Sequence, residues 1–258
     1  MIAAYTLTKA NRLKLARAFY YSPRVDLSID CVIEGQMGTV YTDDPDNPTV
    51  FLIEQGGFFC YFAGDSRSIN GIELIASLTP PKLLMPSVPG WLELAQKIIG
   101  GKLIETSRCS YSFDHLSVEH MNALINCSSF QEEVERIDAK IAAQSLEDQD
   151  YFMDISAFDS AMDFDERGIG YCMLKNGKMV DAAYSSLVCS KGIEVSIYVS
   201  PEYRRQGVAT ALGGLLVKYC LENGLEPHWD AANLESYMLA EKMRYYLSGT
   251  YSAFYQKE

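Results

Sequence analysis

Between Gly38 and Ala63, short apolar runs alternate with turn residues. Gly38–Thr42, Thr49–Gln55 and Phe58–Ala63 read as strands, joined by a turn over residues 43–48 and by Gly56-Gly57. A helical period precedes them from Lys9 to Tyr21 and stops before Pro23. After them, Gly71–Ser77 and Trp91–Ile99 read as helices, the second ended by Gly100-Gly101, and Leu103–Phe113 as a strand. Residues 115–148 place Val118, Met121, Leu124, Val134, Ile137 and Ile141 at helical spacing.

From about Asp150 the pattern is more regular. Tyr151–Phe164 predicts a helix, broken by Gly168 and Gly170. Gly170–Leu174 and Met179–Leu187 predict a hairpin about Asn176-Gly177, a strong two-residue turn signal. Ile193–Val199 follows as a partly alternating strand. Gly207–Glu222 is an amphipathic helix stopped by Asn223-Gly224. A short strand at Pro227–Ala231, a helix over Ser236–Arg244 and a strand at Thr250–Tyr255 complete the chain. Consecutive hairpins followed by a strand–helix–strand crossover predict an α+β class, with a mixed, mostly antiparallel sheet and flanking helices. The polar stretch 126–150 places the boundary at 128/129: a smaller α+β N-terminal domain over 1–128, of unassigned role, and a second domain over 129–258.

With 258 residues, 48% of them hydrophobic, the chain can bury one large or two modest cores. A net charge of -12 repels nucleic acid and anionic membrane surfaces, so neither is an expected partner. No apolar run approaches the ~20 residues of a membrane span, and the N-terminus lacks a signal-peptide pattern. Seven cysteines with no CxxC pair read as reduced core thiols, which predicts a cytoplasmic protein. His115 and His120 have no Cys or His at zinc spacing, and no metal site is expected.

Chemistry concentrates at Arg204-Arg205-Gln206-Gly207-Val208-Ala209, between the strand ending at Val199 and the helix that follows. A glycine turn at a helix start exposes unpaired N–H groups, and the helix dipole favours an anion there. Gly207 admits a phosphate close to the backbone, and two arginines add charge-assisted donors. The ligand this predicts is a nucleotide-like cofactor with a pyrophosphate.

Strand Glu194-Val-Ser-Ile-Tyr-Val199, the Arg204-x-x-Gly207-x-Ala209 turn, and Asn233-x-x-Ser236 heading a helix together resemble the GNAT acetyltransferases. The longer runs Tyr203–Thr210, Tyr219–Leu225, Trp229–Asn233 and Leu239–Lys242 are similar to a bacterial branch that includes zwittermicin A resistance-like acetyltransferases. The resemblance covers roughly residues 130–258; the first part echoes half of such a fold without a matching cofactor loop. It implies acetyl-CoA as cosubstrate, with the amides of Gln206, Gly207, Val208, Ala209 and Thr210 facing the CoA pyrophosphate. It also implies that main-chain atoms of Ile197 and Val199 pair with the pantetheine arm, and that Asn233 and Ser236 lie beside that arm. The implied acceptor is a primary amine of a small molecule, such as an antibiotic or toxin; a protein or peptide amine would need a wider groove. A homodimer stays open.

Each of these residues also has a plainer reading. Glu194 is either the base that removes the amine's proton or a strand-edge glutamate. The N–H after Tyr198 is either an oxyanion donor or a ladder hydrogen bond. Arg204 and Arg205 either touch phosphate or are solvated turn residues; Asn233 and Ser236 either serve the cofactor or cap a helix. His228, beside Trp229, reads as a packed residue. Two departures from the family stand out: Ala240 occupies the place of a thiolate-protonating tyrosine, and Met243-Arg244-Tyr245 replaces the usual x-Gly-aromatic. One of Tyr245, Tyr246, Tyr251 or Tyr255 could supply the missing acid. The alternative to an acetyl-CoA-dependent N-acetyltransferase is a non-catalytic CoA-binding sensor or scaffold.

Overall fold

The computed structural model describes residues 1–127, 134–147, 153–175 and 177–258. The elements are β1 (Ala3–Ala4), α1 (Arg12–Ala18), α2 (Ser28–Ile33), β2 (Thr39–Thr42), β3 (Val50–Gln55), β4 (Phe59–Gly64), α3 (Ile69–Ala76), β5 (Lys82–Leu84), α4 (Trp91–Ile99) and β6 (Leu103–Ser112). Then come α5 (Val118–Asn126), β7 (Val134–Arg136), α6 (Ala139–Glu147), α7 (Ala161–Arg167), β8 (Gly170–Lys175), β9 (Lys178–Val188), β10 (Gly192–Val199), α8 (Val208–Glu222), β11 (Glu226–His228), β12 (Asp230–Ala231), α9 (Leu234–Lys242) and β13 (Tyr246–Gln256). The α+β class with mixed, mostly antiparallel sheets and flanking helices is therefore the fold of this chain.

Two compact units form, one from Met1–Arg108 with Thr250–Glu258, the other from Cys109–Gly249. The 128/129 boundary expected from the sequence lies outside the described residues. In the first unit, β2, β3 and β4 are antiparallel, while β5 runs parallel to β4 and antiparallel to β13. Strand β3 is apolar on both faces because both are covered. Phe51 and Ile53 join Leu15 of α1, Phe19 just after it, and Ile29 and Val32 of α2, whereas Val50 and Leu52 join Leu74, Ile75, Trp91 and Ala95 of α3 and α4.

In the second unit the sheet order is β11-β10-β9-β8-β7, antiparallel except for the β10–β11 pair. Lys175 pairs with Lys178, so β8 and β9 are joined by two residues; Asn176 lies outside the described residues, and Gly177 has φ +75°. Helix α8 crosses this sheet and carries Gly213 and Gly214. A Cβ at Gly213 would stand 2.8 Å from Ile197 Cδ1, and one at Gly214 would stand 3.1 Å from Ile125 Cγ1. The glycine pair therefore lets α8 close on β10 below and on α5 beside it, which is how residues 109–127 come to pack with the second unit.

The helix expected over Tyr151–Phe164 is instead α7, starting later, at Ala161; residues 151–152 lie outside the described residues. Ser160 caps it by accepting from Asp163 N at 3.1 Å, and Arg167 pairs with Asp163 one turn apart. The Pro227–Ala231 run is two short strands, β11 and β12, with different partners.

Candidate active site

The site begins where β10 loses a neighbour. Strand β9 pairs with β10 from Ile193↔Val188 to Val199↔Asp181. On the other edge, β11 pairs only through Gly192↔Glu226, Ile193↔Pro227 and Glu194↔His228. Gly192 makes that approach feasible, because a Cβ there would stand 2.0 Å from Glu226 O. Beyond His228 the chain turns away at Trp229, and Asp230 and Ala231 pair with Ser110 and Cys109 instead. From Val195 to Val199, one edge of β10 has no strand partner among the described residues.

Strand geometry says which atoms face that edge. The N–H and C=O of one strand residue point to the same side, and successive residues alternate. Lys191 O accepts from Glu226 N at 3.0 Å, on the β11 side, and Gly192 O accepts from Cys189 N at 3.0 Å, on the other. The irregularity in the ladder adds its extra residue, Ser186, to β9, since Glu194 faces Leu187 and Val195 faces Ser185. The alternation on β10 is thus unbroken, and the main-chain groups of Val195, Ile197 and Val199 face the open edge. Arg204 Nε donates to Val199 O at 3.3 Å, so Arg204 folds back onto the end of that edge.

The turn into α8 is held from both ends. Asp181, fully buried, accepts from Ser200 N at 2.6 Å and from Ser200 Oγ at 2.9 Å. Burial raises its carboxyl above the ordinary range, the Ser200 hydrogen bonds work the other way, and the Glu202 charge raises it further. A short 3-10 turn, Pro201–Tyr203, follows, and Gln206 Nε2 donates to Glu202 O at 2.7 Å. Arg205 and Gly207 take left-handed conformations, φ +61° and +89°. Gly207 is the N-cap of α8 and offers no capping side chain. The first bond of the helix runs from Ala211 N to Gly207 O at 3.0 Å, so the amides of Val208, Ala209 and Thr210 have no intrahelical acceptor. Apart from its two chain neighbours, no atom of the described residues lies within 4 Å of where a Gly207 Cβ would stand, which leaves that face open.

The charges here run against ordinary helix electrostatics. Lys242 Nζ donates to Thr210 Oγ1 at 3.1 Å, and exposed Arg204 and Arg205 flank the same turn. Cations at the positive end of a helix repel its dipole, and an anion seated there reverses the sign. Sequence reasoning missed Lys242, Asp181 and Ser200. A single acid inside the apolar strand Met179–Val188 was the available signal for Asp181.

Glu194 is 8% exposed and sits where the β10–β11 ladder stops. Tyr245 is also buried; burial pushes its phenol well above the ordinary value, with Cys220 and then Glu194 adding to that. Its hydroxyl donates to Pro227 O at 3.0 Å. Asn233 is the N-cap of α9, its Oδ1 accepting from Ser236 N at 2.9 Å. Ser236 Oγ in turn accepts from Trp229 Nε1 at 3.0 Å, tying the start of α9 to the residue where the chain leaves β10. Ala240 is fully buried.

The remaining candidates lie apart from this edge or are occupied. His228 Nε2 is 2.9 Å from Glu226 Oε2, His115 packs on Tyr246 at 4.5 Å between ring centroids, and His120 Nε2 is 3.0 Å from Lys242 O. Tyr251 and Tyr255 belong to the first unit, packed against the core cluster that holds Phe51 and Ile53. One uninterrupted stretch, Glu194 to Thr210, thus holds the expected base, the open strand edge and the amide turn.

Comparison with known proteins adds four findings. The family model described as GNAT acetyltransferase matches residues 22–254. An uncharacterized N-acetyltransferase from Bacillus subtilis (strain 168), YdfB, is 25% identical over 227 residues, 84% of this chain and 85% of that protein. The crystal structure of a GCN5-related N-acetyltransferase-like protein from Streptococcus suis 89/1591 superposes with a TM-score of 0.82 at 27% identity, covering 96% of this chain and 99% of the other. A tandem GNAT protein from the clavulanic acid biosynthesis pathway shares the fold, with a TM-score of 0.56 at 10% identity and coverage of 100% and 99%.

Proposed function

The chain belongs to the GNAT acetyltransferase family, and on that footing we propose that it moves an acetyl group from acetyl-CoA to a primary amine of a small molecule by direct transfer. The observation that carries this reading is the β10 edge that has no strand partner among the described residues and runs without interruption into the open amide turn at Gly207. The turn amides from Gln206 to Thr210 take the diphosphate, with Arg204, Arg205 and Lys242 supplying positive charge. The pantetheine arm lies along β10 as an added strand, bonded to the main chain of Ile197 and Val199.

An arm that starts at the turn runs back toward Val195 and Glu194. The thioester then lies where β11 departs, and the Val195 N–H, on the open edge, is better placed as oxyanion donor than that of Val199. Glu194 removes one proton from the substrate ammonium, directly or through water. The freed lone pair attacks the thioester carbonyl and the C–N bond forms; as the C–S bond breaks, the nitrogen's second proton passes to the departing sulfur, and CoA leaves as the thiol. Asn233 and Ser236 act through position, holding Trp229 and the start of α9 at the site's edge. The acidic chain suits a cationic acceptor such as an aminated antibiotic, and the similarity to the zwittermicin A resistance-like branch, carried by the Tyr203–Thr210 and Trp229–Asn233 runs, favours one. Seven cysteines, none of them joined in a disulfide among the described residues, suit a cytoplasmic setting.

One observation favours a second reading, a CoA-binding sensor without catalysis: buried Ala240 stands where the family carries its proton-donating tyrosine. Release of CoA thiol from acetyl-CoA across a panel of small amines separates the two. Amine-dependent release supports transfer; tight CoA binding with no release from any amine supports the sensor.

A further inference from the structure

The strand beside the open edge carries a buried acid that faces the start of α8. Val199, the last residue of β10, lies opposite Asp181 on β9, and Ile197 lies opposite Ala183. A Cβ at Gly213 of α8 would stand 2.8 Å from Ile197 Cδ1, so Ile197 faces that helix. Side chains two apart on a strand share a face, and so do residues directly opposed across a ladder. Asp181 therefore faces α8 as well, one step nearer the turn that leads into it.

A count of protons decides its form. The β8–β9 ladder runs from Met173↔Asp181 to Leu174↔Met179, so Val180 is an extra residue, and a bulge leaves such a residue off the ladder. Ser200 Oγ lies 2.9 Å from Val180 O and 2.9 Å from Asp181 Oδ1. A hydroxyl has one proton and a carbonyl oxygen has none, so both contacts are hydrogen bonds only when the second proton belongs to Asp181. The contact with Asp181 then runs from the carboxyl to Oγ, and Oγ donates to Val180 O. Asp181 Oδ2 points the same way, being buried with no hydrogen-bond partner among the described residues. A charged oxygen left so is costly, and a neutral carbonyl oxygen much less.

The surrounding charges do not favour an ionised form. Strands β8 and β10 and helix α8 pack on β9. Strand β8 sets Met173 opposite Asp181 and Tyr171 next on that face, with Arg136 of β7 beside Tyr171. Strand β10 sets Val199, and α8 has no titratable side chain before Lys218. The turn brings Glu202, whose like charge acts on Asp181, while Arg204 is bonded to Val199 O and Lys175 to the Tyr203 hydroxyl. No cation pairs with Asp181 among the described residues.

On the reading that this turn holds CoA, we infer that Asp181 is its positioning residue and works as a neutral acid, fixing Ser200 without setting a negative charge beneath the diphosphate. Ionisation takes the hydroxyl from Val180 O and puts a carboxylate under the bound anion. CoA affinity therefore falls as pH rises through the Asp181 titration, which burial moves above the ordinary carboxylate range. The sign for folding is the same: stability contributed by the neutral acid is lost as pH rises through a raised folded pKa.

Asp181→Asn keeps the shape and stays neutral at every pH. Where Asp181 is protonated, it should bind CoA within about twofold of wild type, and about tenfold more tightly once wild-type Asp181 has ionised. The carboxyl carbon of Asp181, assigned with the same variant, reports that ionisation by 13C NMR without CoA. Reading each affinity against Asp181→Asn removes the titration of CoA's own phosphate. Asp181→Leu, neutral but without hydrogen bonds, should lose about tenfold in CoA affinity at every pH, and Ser200→Ala should weaken binding in the same direction should Asp181→Leu fail to fold. The inference is overturned if the carboxyl titrates at the ordinary value, if Asp181→Asn binds CoA more weakly than wild type, if its advantage does not grow as the carboxyl ionises, or if folded Asp181→Leu binds like wild type. Wild type that binds no CoA refutes the CoA reading and the affinity claim with it, while the carboxyl titration still decides the neutral acid.

Discussion

Replacing Gly207 with alanine separates the strain of a turn from its use. Gly207 sits at φ +89°, ψ -1°, and a Cβ there meets no atom of the described residues within 4 Å beyond its chain neighbours, so the cost of the substitution is conformational rather than a clash. A side chain in the left-handed region costs roughly 1–2 kcal/mol. In the free protein the turn can relax to negative φ and avoid most of that cost, but the relaxed turn no longer aims its amides at one point. If CoA binding requires the left-handed turn, the cost is recovered from affinity, and Kd rises about 5- to 30-fold at ~1.4 kcal/mol per tenfold. Gly224, at the other end of α8, is the control: it has φ +68° and is equally free of neighbours. Gly224→Ala should lower stability by a similar ~1 kcal/mol and leave CoA affinity unchanged. Calorimetric titration with CoA, beside urea unfolding of both variants, measures each quantity. Wild-type CoA affinity in Gly207→Ala, or equal weakening in Gly224→Ala, refutes the reasoning.

Glu194→Gln should lower kcat/KM for amine-dependent thiol release by ~100- to 10,000-fold while CoA affinity stays at the wild-type value, as expected for a lost general base; a loss of CoA binding instead would make Glu194 structural. Gly192→Ala drives a Cβ into the Glu226 main chain, and should cost about 1–3 kcal/mol in urea unfolding by prying β11 from β10. Burial alone would raise the Asp43 carboxyl, but hydrogen bonds from Thr49, Val50 and Thr42 outweigh it and hold it well below the ordinary carboxylate value. A depressed folded pKa contributes stability that is complete above the unfolded value of about 3.9 and is lost as pH falls below it. The Tm gap between wild type and Asp43→Asn should therefore be widest near neutrality and shrink below about pH 4; a gap that is flat with pH would contradict this.

Where one local signal settled the conformation, the sequence was easy to read. Trp91–Ile99 carries a helical period and a glycine pair behind it, and the helix ends there. Strand β3 was legible because Val50 to Gln55 is too apolar to face water on either side. Helix α2 was not, since Ile29, Cys31, Val32 and Ile33 crowd six residues with strand-forming types; its start rests on Asp26 accepting from Ser28 N at 2.9 Å. The Gly207 turn was legible because a glycine between an apolar strand and an amphipathic helix has few alternatives. What surrounds the turn depends on pairing across the fold. Asp181 meets Ser200 only once β9 and β10 are in register, and Lys242 reaches Thr210 from 32 residues away. The change of partner at Trp229 was also hidden, because alternation within Pro227–Ala231 says nothing about which strand lies alongside.

The central claim is that the amides of the Gly207 turn hold the diphosphate of CoA. The most direct measurement is the set of backbone amide resonances from Gln206 to Thr210, followed by NMR as CoA is added. The account predicts that these five move together and saturate with the calorimetric affinity, and that pantetheine, which has no phosphate, leaves them nearly still. Saturable CoA binding with those resonances unmoved, or no binding at all, would contradict it.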